Sequence, residues 1–516
     1  MSKKSKNILF IFFVIILVNL LSRGPDILKA IQQPTSKWYL GQASWFDPWD
    51  LNLYFSIIGW GKRNGILFEN LYDTESTQRA PIYSFYTLLG KITSTFKLTN
   101  AFIFHLAGLI SSFFLVGTVW WFIKIFLKKE TETKITFLFL FLAGGLGWVL
   151  FPKIILPDIG QPGFTLVNAI RRPHEAISLS LLLLSLGGFW RWIIYQKKQA
   201  LLYAGLSSFL MTFLHPYNLL ILGTVLFCFG FYWWRQKKST GFLKLLLLLA
   251  LEAGIYYLFV AKSLLKNPSL SGLLSQVQFS PSPLQAILGW GFLFPFMVVA
   301  IFPKEKSKKT LFIKIWFISH WLINYLPFGF QRSMARGLWI PAIILAVKGI
   351  RKISRKTTLD YRPVVGLLLF FTSFSTFFIA FKRIAESPDN RWIYLTQQEG
   401  EVIDYLKNHS NDEEGVLASY RIANLIPAHT AKRVWAGHQF QTPRFEERMT
   451  EVNRFFAGEM KEPEAKSFFK KTKTAWVFWG PEEKAISGLT TVPSKNLMEP
   501  VIENETVSLY KVWQKW

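Results

Sequence analysis

One cysteine, Cys228, occurs in 516 residues, and it lies inside an apolar run. No disulfide can therefore form within the chain. No glycine-rich phosphate loop follows a strand pattern and no Walker motif occurs, which excludes a P-loop ATPase. His-Glu-x-x-His and related ligand spacings are also missing, which argues against a structural zinc site of the kind that sequence spacing reveals. After the first apolar run, Leu21-Ser22-Arg23-Gly24-Pro25 offers no small-x-small cleavage site, so that run reads as a retained anchor. No internal repeat is visible. Acidic residues are scarce, 32 against 59 Lys and Arg, for a net charge of +27.

Apolar residues make up 51% of the chain and fall in runs bounded by lysines, the composition of a polytopic membrane protein. Positive charge between such runs orients spans rather than forming a basic groove, which argues against nucleic-acid binding. By the roughly 20-residue length of a bilayer crossing, about eleven segments qualify as transmembrane helices. They cover residues 8–21, 101–127, 135–151, 176–195, 201–214, 217–234, 242–261, 284–302, 311–326, 337–350 and 364–381, the fifth and tenth being short. With Lys3, Lys4 and Lys6 in the cytoplasm, alternate loops carry Lys128-Lys129, Lys197-Lys198, Arg235 to Lys238, Lys304 to Lys309 and Arg351 to Lys356. Every basic cluster then lies inside, and the tail after the last span lies outside. Residues 81–90 would invert this parity if they crossed, so they are expected to be amphipathic and to lie at the outer interface.

The charges left outside are the candidate functional set. The segment Trp45-Phe46-Asp47-Pro48-Trp49-Asp50 sets two carboxylates in an aromatic loop after the anchor, and the loop, residues 22–100, also holds Glu69, Asp73, Glu75 and Arg79. Asp47 and Asp50, three apart, can face one way on a helical turn. One can deprotonate a hydroxyl, or the pair can hold a divalent cation such as Mg or Mn. Otherwise one of them caps the helix expected from Asp50 onward. Asp47 is taken as the catalytic residue, with Asp50 a cap or helper.

Arg171-Arg172-Pro173-His174-Glu175 lies at the mouth of a span, and Arg332 and Arg336 lie in another outer loop. With Arg79 these guanidiniums suit phosphate oxygens, which their planar forks match; alternatively they snorkel or pair with Asp158 and Glu175. His174, Glu175 and His215 are expected to line a cavity, since polar groups at that depth need partners. The same holds for His320 and Asn324.

Beyond about residue 388 the apolar runs stop. Helical spacing in 397–408, 445–456 and 462–471 alternates with strand patterns in 415–419, 475–479 and 507–512, which describes one small extracytoplasmic α/β domain over 388–516, after a membrane domain over 1–387. Its segment from Arg433 to Thr442 either offers Trp435 for stacking on carbohydrate, with His438 beside it, or is an ordinary strand and turn.

The anchor, the Phe46-Asp47-Pro48-Trp49-Asp50 loop, the many spans and the outside α/β tail together resemble the integral-membrane C-superfamily glycosyltransferases. Ala80-Pro81-Ile82-Tyr83-Ser84-Phe85-Tyr86 is similar to that family's proline-aromatic segment, and Arg171 to Glu175 and His215-Pro216-Tyr217 to segments of bacterial members. The resemblance implies sugar transfer from a polyprenyl-phosphate donor to a glycan, lipid or protein acceptor at the outer face of the membrane, and the Lys-rich, cysteine-poor composition fits a bacterial plasma membrane better than a eukaryotic secretory one. Asp47 would be the base, and Arg79, Arg171, Arg172, Arg332 and Arg336 would hold the donor phosphate. A second acidic motif is missing from the next outer loop, where only Asp158 stands. Two other classes fit a many-span chain: a transporter or lipid flippase, disfavoured because the charges sit at the outer edge and no halves repeat, and a non-catalytic assembly protein whose tail binds glycans.

Overall fold

The computed structural model describes residues 2–513 apart from 76–77, 162, 238–239, 304–306 and 358–359. Lys238, Lys304 and Lys306 of the basic clusters lie outside the described residues.

Each of the eleven apolar segments contains helix, because leucine-rich runs favour it and a helix satisfies every backbone hydrogen bond within the segment. Among the described residues eight helices are long and apolar enough to cross a membrane, including α1, Lys3–Ile31, and those spanning Asn100–Phe126, Pro173–Tyr195 and Tyr361–Ala385. The helices at Lys198–Leu214, Lys308–Ile323 and Trp339–Thr357 fall outside that set of eight. The protein is a polytopic α-helical membrane protein with a C-terminal α/β domain.

The chain divides into two compact units, neither continuous in sequence. Unit 1 takes residues 1–25, 105–256 and 277–385; unit 2 takes 26–104, 257–276 and 386–516. The composition change near residue 388 thus marks where the last membrane helix gives way to the tail, but the tail shares its unit with the first loop. Unit 1 is packed around aromatic and aliphatic side chains such as Trp190, Trp290, Trp316 and Trp339, all buried.

In unit 2 the first loop supplies β1 (Lys37–Tyr39), α2 (Pro48–Asn64), β2 (Phe68–Glu69), β3 (Arg79–Ala80) and α3 (Ser84–Phe96). β1 pairs antiparallel with β4 (Tyr394–Thr396) of the tail, Trp38 opposite Leu395, and β2 pairs antiparallel with β3. The remaining strands are β5 (Gly415–Leu417), β6 (Arg433–Val434), β7 (Thr474–Trp479), β8 (Met498–Glu503) and β9 (Ser508–Val512). They form one mixed sheet in the order β6-β5-β7-β9-β8, parallel from β6 to β7 and antiparallel beyond. The expected helices appear at Gln397–His409, Phe445–Phe456 and Glu462–Thr472. The helix Tyr420–Thr430, with Pro427 inside it, and the strand β8 were not expected from the pattern, whereas β6 agrees with reading the segment from Arg433 as a strand and turn.

Residues 81–90 enter α3, which buries Tyr86, Leu89 and Gly90 and leaves Leu88, Ile92 and Phe96 exposed. α2 and α3 touch backbone to backbone: a Cβ on Gly61 would stand 2.3 Å from the Thr87 carbonyl oxygen, and one on Gly90 would stand 2.3 Å from that of Ile58. Neither backbone can yield as a side chain would. Gly61→Ala is therefore expected to destabilise the protein by roughly 1–3 kcal/mol despite alanine's better helix propensity. Gly117→Ala, in a helix with nothing within 4 Å of the new methyl, is the control and should leave the thermal midpoint in detergent unchanged or slightly raised.

Candidate functional site

In unit 2, Pro48 occupies the first position of α2, where its fixed φ suits a helix start and its missing N–H is not needed. The helix therefore begins two residues before Asp50, and Asp47, not Asp50, is the residue ahead of it. Asp47 makes no side-chain cap bond to the helix. Instead it is buried, 8% exposed, and its Oδ1 accepts from the Ser44 hydroxyl at 2.5 Å. Ser44 is held in turn, its backbone N–H donating to Gln42 Oε1 at 2.6 Å. The first-loop carboxylate is thus oriented by the loop that precedes it rather than spent on capping.

Asp50 sits in the first turn of α2, where the helix dipole favours a negative charge. Its carboxylate is a quarter exposed, with Oδ1 3.7 Å from His438 Nε2. His438 Nδ1 accepts from the Phe440 backbone N–H at 3.2 Å, so in the neutral ring the proton lies on Nε2, toward Asp50. Trp435, a candidate for stacking on carbohydrate, is instead a core residue: it is 1% exposed, donates its indole N–H to Glu451, and carries the Arg448 guanidinium 3.8 Å from its ring centroid. Its neighbours in the β6 region point inward because the parallel sheet has helices to bury against.

The other first-loop acids serve as ties. Glu69 pairs with Arg79 at 3.1 Å and with the buried Arg433; Asp73 pairs with Arg448 at 2.9 Å, and Glu75 with the same arginine at 2.6 Å. Arg79 thus has a carboxylate partner and also lies over Trp60.

In unit 1, Glu175 is 2% exposed and accepts two bonds from Arg336, from Nε and Nη2, each at 2.5 Å. This is the bidentate geometry that a carboxylate offers a guanidinium. Arg336 also lies 4.9 Å above the Tyr217 ring. His174 Nε2 and His215 Nε2 stand 3.9 and 4.0 Å from Glu175 Oε1, with the two imidazoles 5.1 Å apart. Burial first, and then the Arg336 charge, hold His215 well below the usual histidine range, so it is neutral at physiological pH.

Among the described residues His174, Glu175 and His215 are the one group of three whose ligand atoms lie close enough to hold a metal ion, all within 4.8 Å. Asp47 and Asp50 enter no such group. Spacing missed the trio because His215 comes forty positions after Glu175 in the sequence. Two imidazoles and one carboxylate fit a divalent ion of the first transition row better than Mg, which prefers oxygen ligands. Such an ion would share Glu175 with Arg336.

Arg171 and Arg172 are half-buried and Arg332 is exposed. Asp158, the remaining acid of the second outer loop, is fully buried and structural: its Oδ2 accepts from the Gly145 and Gly147 N–H groups at 2.9 and 3.1 Å and from Ser375 Oγ at 2.6 Å. It fastens the break between the helices Glu130–Leu142 and Gly147–Leu150. His320 is likewise a satisfied core residue, bonded to Trp316 and Met334, and Asn324 ends the same helix.

No family model matches this sequence, and no curated protein does. Solved structures do match. ArnT from Cupriavidus metallidurans bound to undecaprenyl phosphate aligns with a TM-score of 0.55 at 10% identity, over 100% of this chain and 99% of that one. AglB, the oligosaccharyltransferase of Archaeoglobus fulgidus, in complex with an inhibitory peptide and a dolichol-phosphate, aligns with a TM-score of 0.55 at 13% identity, over 99% and 75%. The same oligosaccharyltransferase in complex with Zn and sulfate aligns with a TM-score of 0.54 at 14% identity, over 96% and 72%.

The chain has the fold of the integral-membrane C-superfamily glycosyltransferases. At 10–14% identity the likeness lies in the fold, and the chemistry of this chain has to be argued from its own side chains.

Proposed function

We propose that the protein transfers a sugar from a polyprenyl-phosphate donor to a hydroxyl acceptor, with Asp47 as general base. The observation that carries this reading is Asp47 itself: a carboxylate in the first loop, buried, oriented by Ser44 and left unused by the helix it precedes. The acceptor hydroxyl gives its proton to Asp47, its oxygen attacks the anomeric carbon, and the polyprenyl phosphate departs with the bonding electrons. Negative charge grows on the phosphate as it leaves, and guanidinium groups stabilise it. Arg171, Arg172 and Arg332 are the arginines assigned to that phosphate. Arg79 and Arg336 are assigned instead to Glu69 and Glu175, which they already contact. The structural neighbours bound to undecaprenyl phosphate and to a dolichol-phosphate support a polyprenyl carrier.

His174, Glu175 and His215 are the residues that would hold a divalent cation, which when bound supplies positive charge to a phosphate oxygen. The parity of the basic loops supports a cytoplasmic N-terminus and a tail outside a bacterial plasma membrane. Purified wild-type protein offered a panel of radiolabelled polyprenyl-phosphate sugars and a membrane-extract acceptor should label that acceptor from at least one donor. No transfer from any donor would favour a transporter or flippase. Removing metal with a chelator should lower transfer, and Mn or Zn should restore it better than Mg; equal rescue by Mg would move the cation away from the histidine trio.

A further inference from the structure

Four partly exposed aromatic rings stand in a row in unit 2 beside Asp50. Trp49 meets Trp392 at 6.1 Å, Trp392 meets Tyr420 at 6.2 Å and Tyr420 meets Phe445 at 5.6 Å, each edge to face with interplanar angles of 72–75°. They come from sequence positions as far apart as the first loop and the tail, so nothing local forces them together. All four stay partly exposed, unlike the buried Trp435 and Trp476.

The backbone under the row is held in place. The Trp392 carbonyl accepts from Gln42 Nε2 at 2.7 Å, and its N–H donates to Asn390 Oδ1 at 3.0 Å. On the residues flanking Tyr420, Ser419 Oγ donates to Glu482 at 3.1 Å, and the buried Arg421 bonds both Glu482 and, at 2.7 Å, the Arg391 carbonyl ahead of Trp392. A buried guanidinium is thus committed to fixing two half-exposed rings relative to each other.

The charge beside the row belongs to Asp50. Asp50 is the residue after Trp49, in the first turn of α2; burial, and after it the Asp50 charge, pushes the Tyr420 phenol up to about 12. His438 lies behind Asp50, 1% exposed, with Nε2 making no hydrogen bond.

Rigid aromatic faces next to a carboxylate suit a ligand that is apolar on one face and carries hydroxyl donors around its rim. A pyranose ring has that form. A lipid tail has no use for Asp50, and an acidic peptide would be repelled by it. We infer that Trp49, Trp392, Tyr420 and Phe445 with Asp50 form a subsite for a pyranose ring.

This inference rests on the transfer reading above and adds that one reactant sugar is gripped by the aromatic row. The sugar can belong to the acceptor, which is then itself a glycan, or to the donor. The test uses the full-length protein in detergent, applied to an array of pyranose-containing glycans and, separately, mixed with micelles of polyprenyl-phosphate sugars or of bare polyprenyl phosphate. Wild type and Asp47→Asn should both retain at least one glycan, Trp392→Ala should bind it at least ten-fold more weakly, and Trp392→Phe should fall between. Phe445→Ala replaces Trp392→Ala if the latter fails to elute as folded protein. If free glycans are not held but sugar-bearing carrier binds more tightly than bare carrier, and only with Trp392 present, the ring belongs to the donor. Binding indifferent to Trp392 and Phe445, or no sugar-dependent binding in either format, overturns the subsite. Because Asp47→Asn binds without transferring, loss of binding and loss of the transfer reading are told apart.

Discussion

Asp47→Asn is expected to reduce sugar transfer by about 10²–10⁴-fold, the range that a positioned general base contributes, while the protein elutes from a sizing column as wild type does. The substitution is nearly isosteric and keeps an oxygen to accept the Ser44 hydroxyl, so the loop has no reason to rearrange. What it removes is the proton acceptor. Asp50→Asn should cost less, because Asp50 sits inside the first turn beside His438 and serves binding in the reading given above. Initial rates for the two variants, at saturating donor and varied acceptor, separate the roles. Asp47→Asn should fall in kcat, and Asp50→Asn chiefly raise KM. Full turnover by Asp47→Asn would remove Asp47 from catalysis.

Arg336→Ala should be among the most destabilising single changes in unit 1, by roughly 3–5 kcal/mol, since it strands a buried carboxylate. Glu175 is 2% exposed and takes both of its strongest bonds from that one guanidinium. The histidines at 3.9 and 4.0 Å lie beyond hydrogen-bond distance and do not replace it. The pair itself need not add net stability, because taking both charges out of water offsets much of their attraction. A double variant, Glu175→Leu with Arg336→Leu, should accordingly recover most of the thermal midpoint that the single variant loses, although it removes a candidate cation ligand. If Arg336→Ala melts like wild type, water or another group reaches Glu175, and the ion pair is not what holds the loop containing Arg336 to the helix containing Glu175.

How much was legible in advance differs by element. Run length found helix in each of the eleven apolar segments, and eight helices among the described residues are long and apolar enough to cross a membrane, because a bilayer crossing demands a continuous apolar stretch that few other structures need. In the tail, helix spacing placed Phe445–Phe456 to the residue, since one strongly amphipathic face is visible without partners. The helix Tyr420–Thr430 escaped because Pro427 lies inside it, and an interior proline reads as a helix break. Trp435 stays open between two readings in the sequence because an aromatic residue in a polar segment looks the same whether it faces solvent or the sheet.

The candidate residues divide along the same line. Asp47 was visible because its carboxylate, its aromatic neighbours and the following proline are contiguous, and short-range chemistry is written in order along the chain. The sequence by itself determined the class of the protein, its spans and the loop that carries the acid. Only the tertiary structure decided which charges are already paired, that Glu175 meets two histidines and Arg336, and that rings from residues 49, 392, 420 and 445 share one row. The physical reason is range: helix formation and membrane insertion depend on neighbours a few residues away, whereas ion pairing, metal geometry and ring stacking act over a few ångströms between residues hundreds of positions apart.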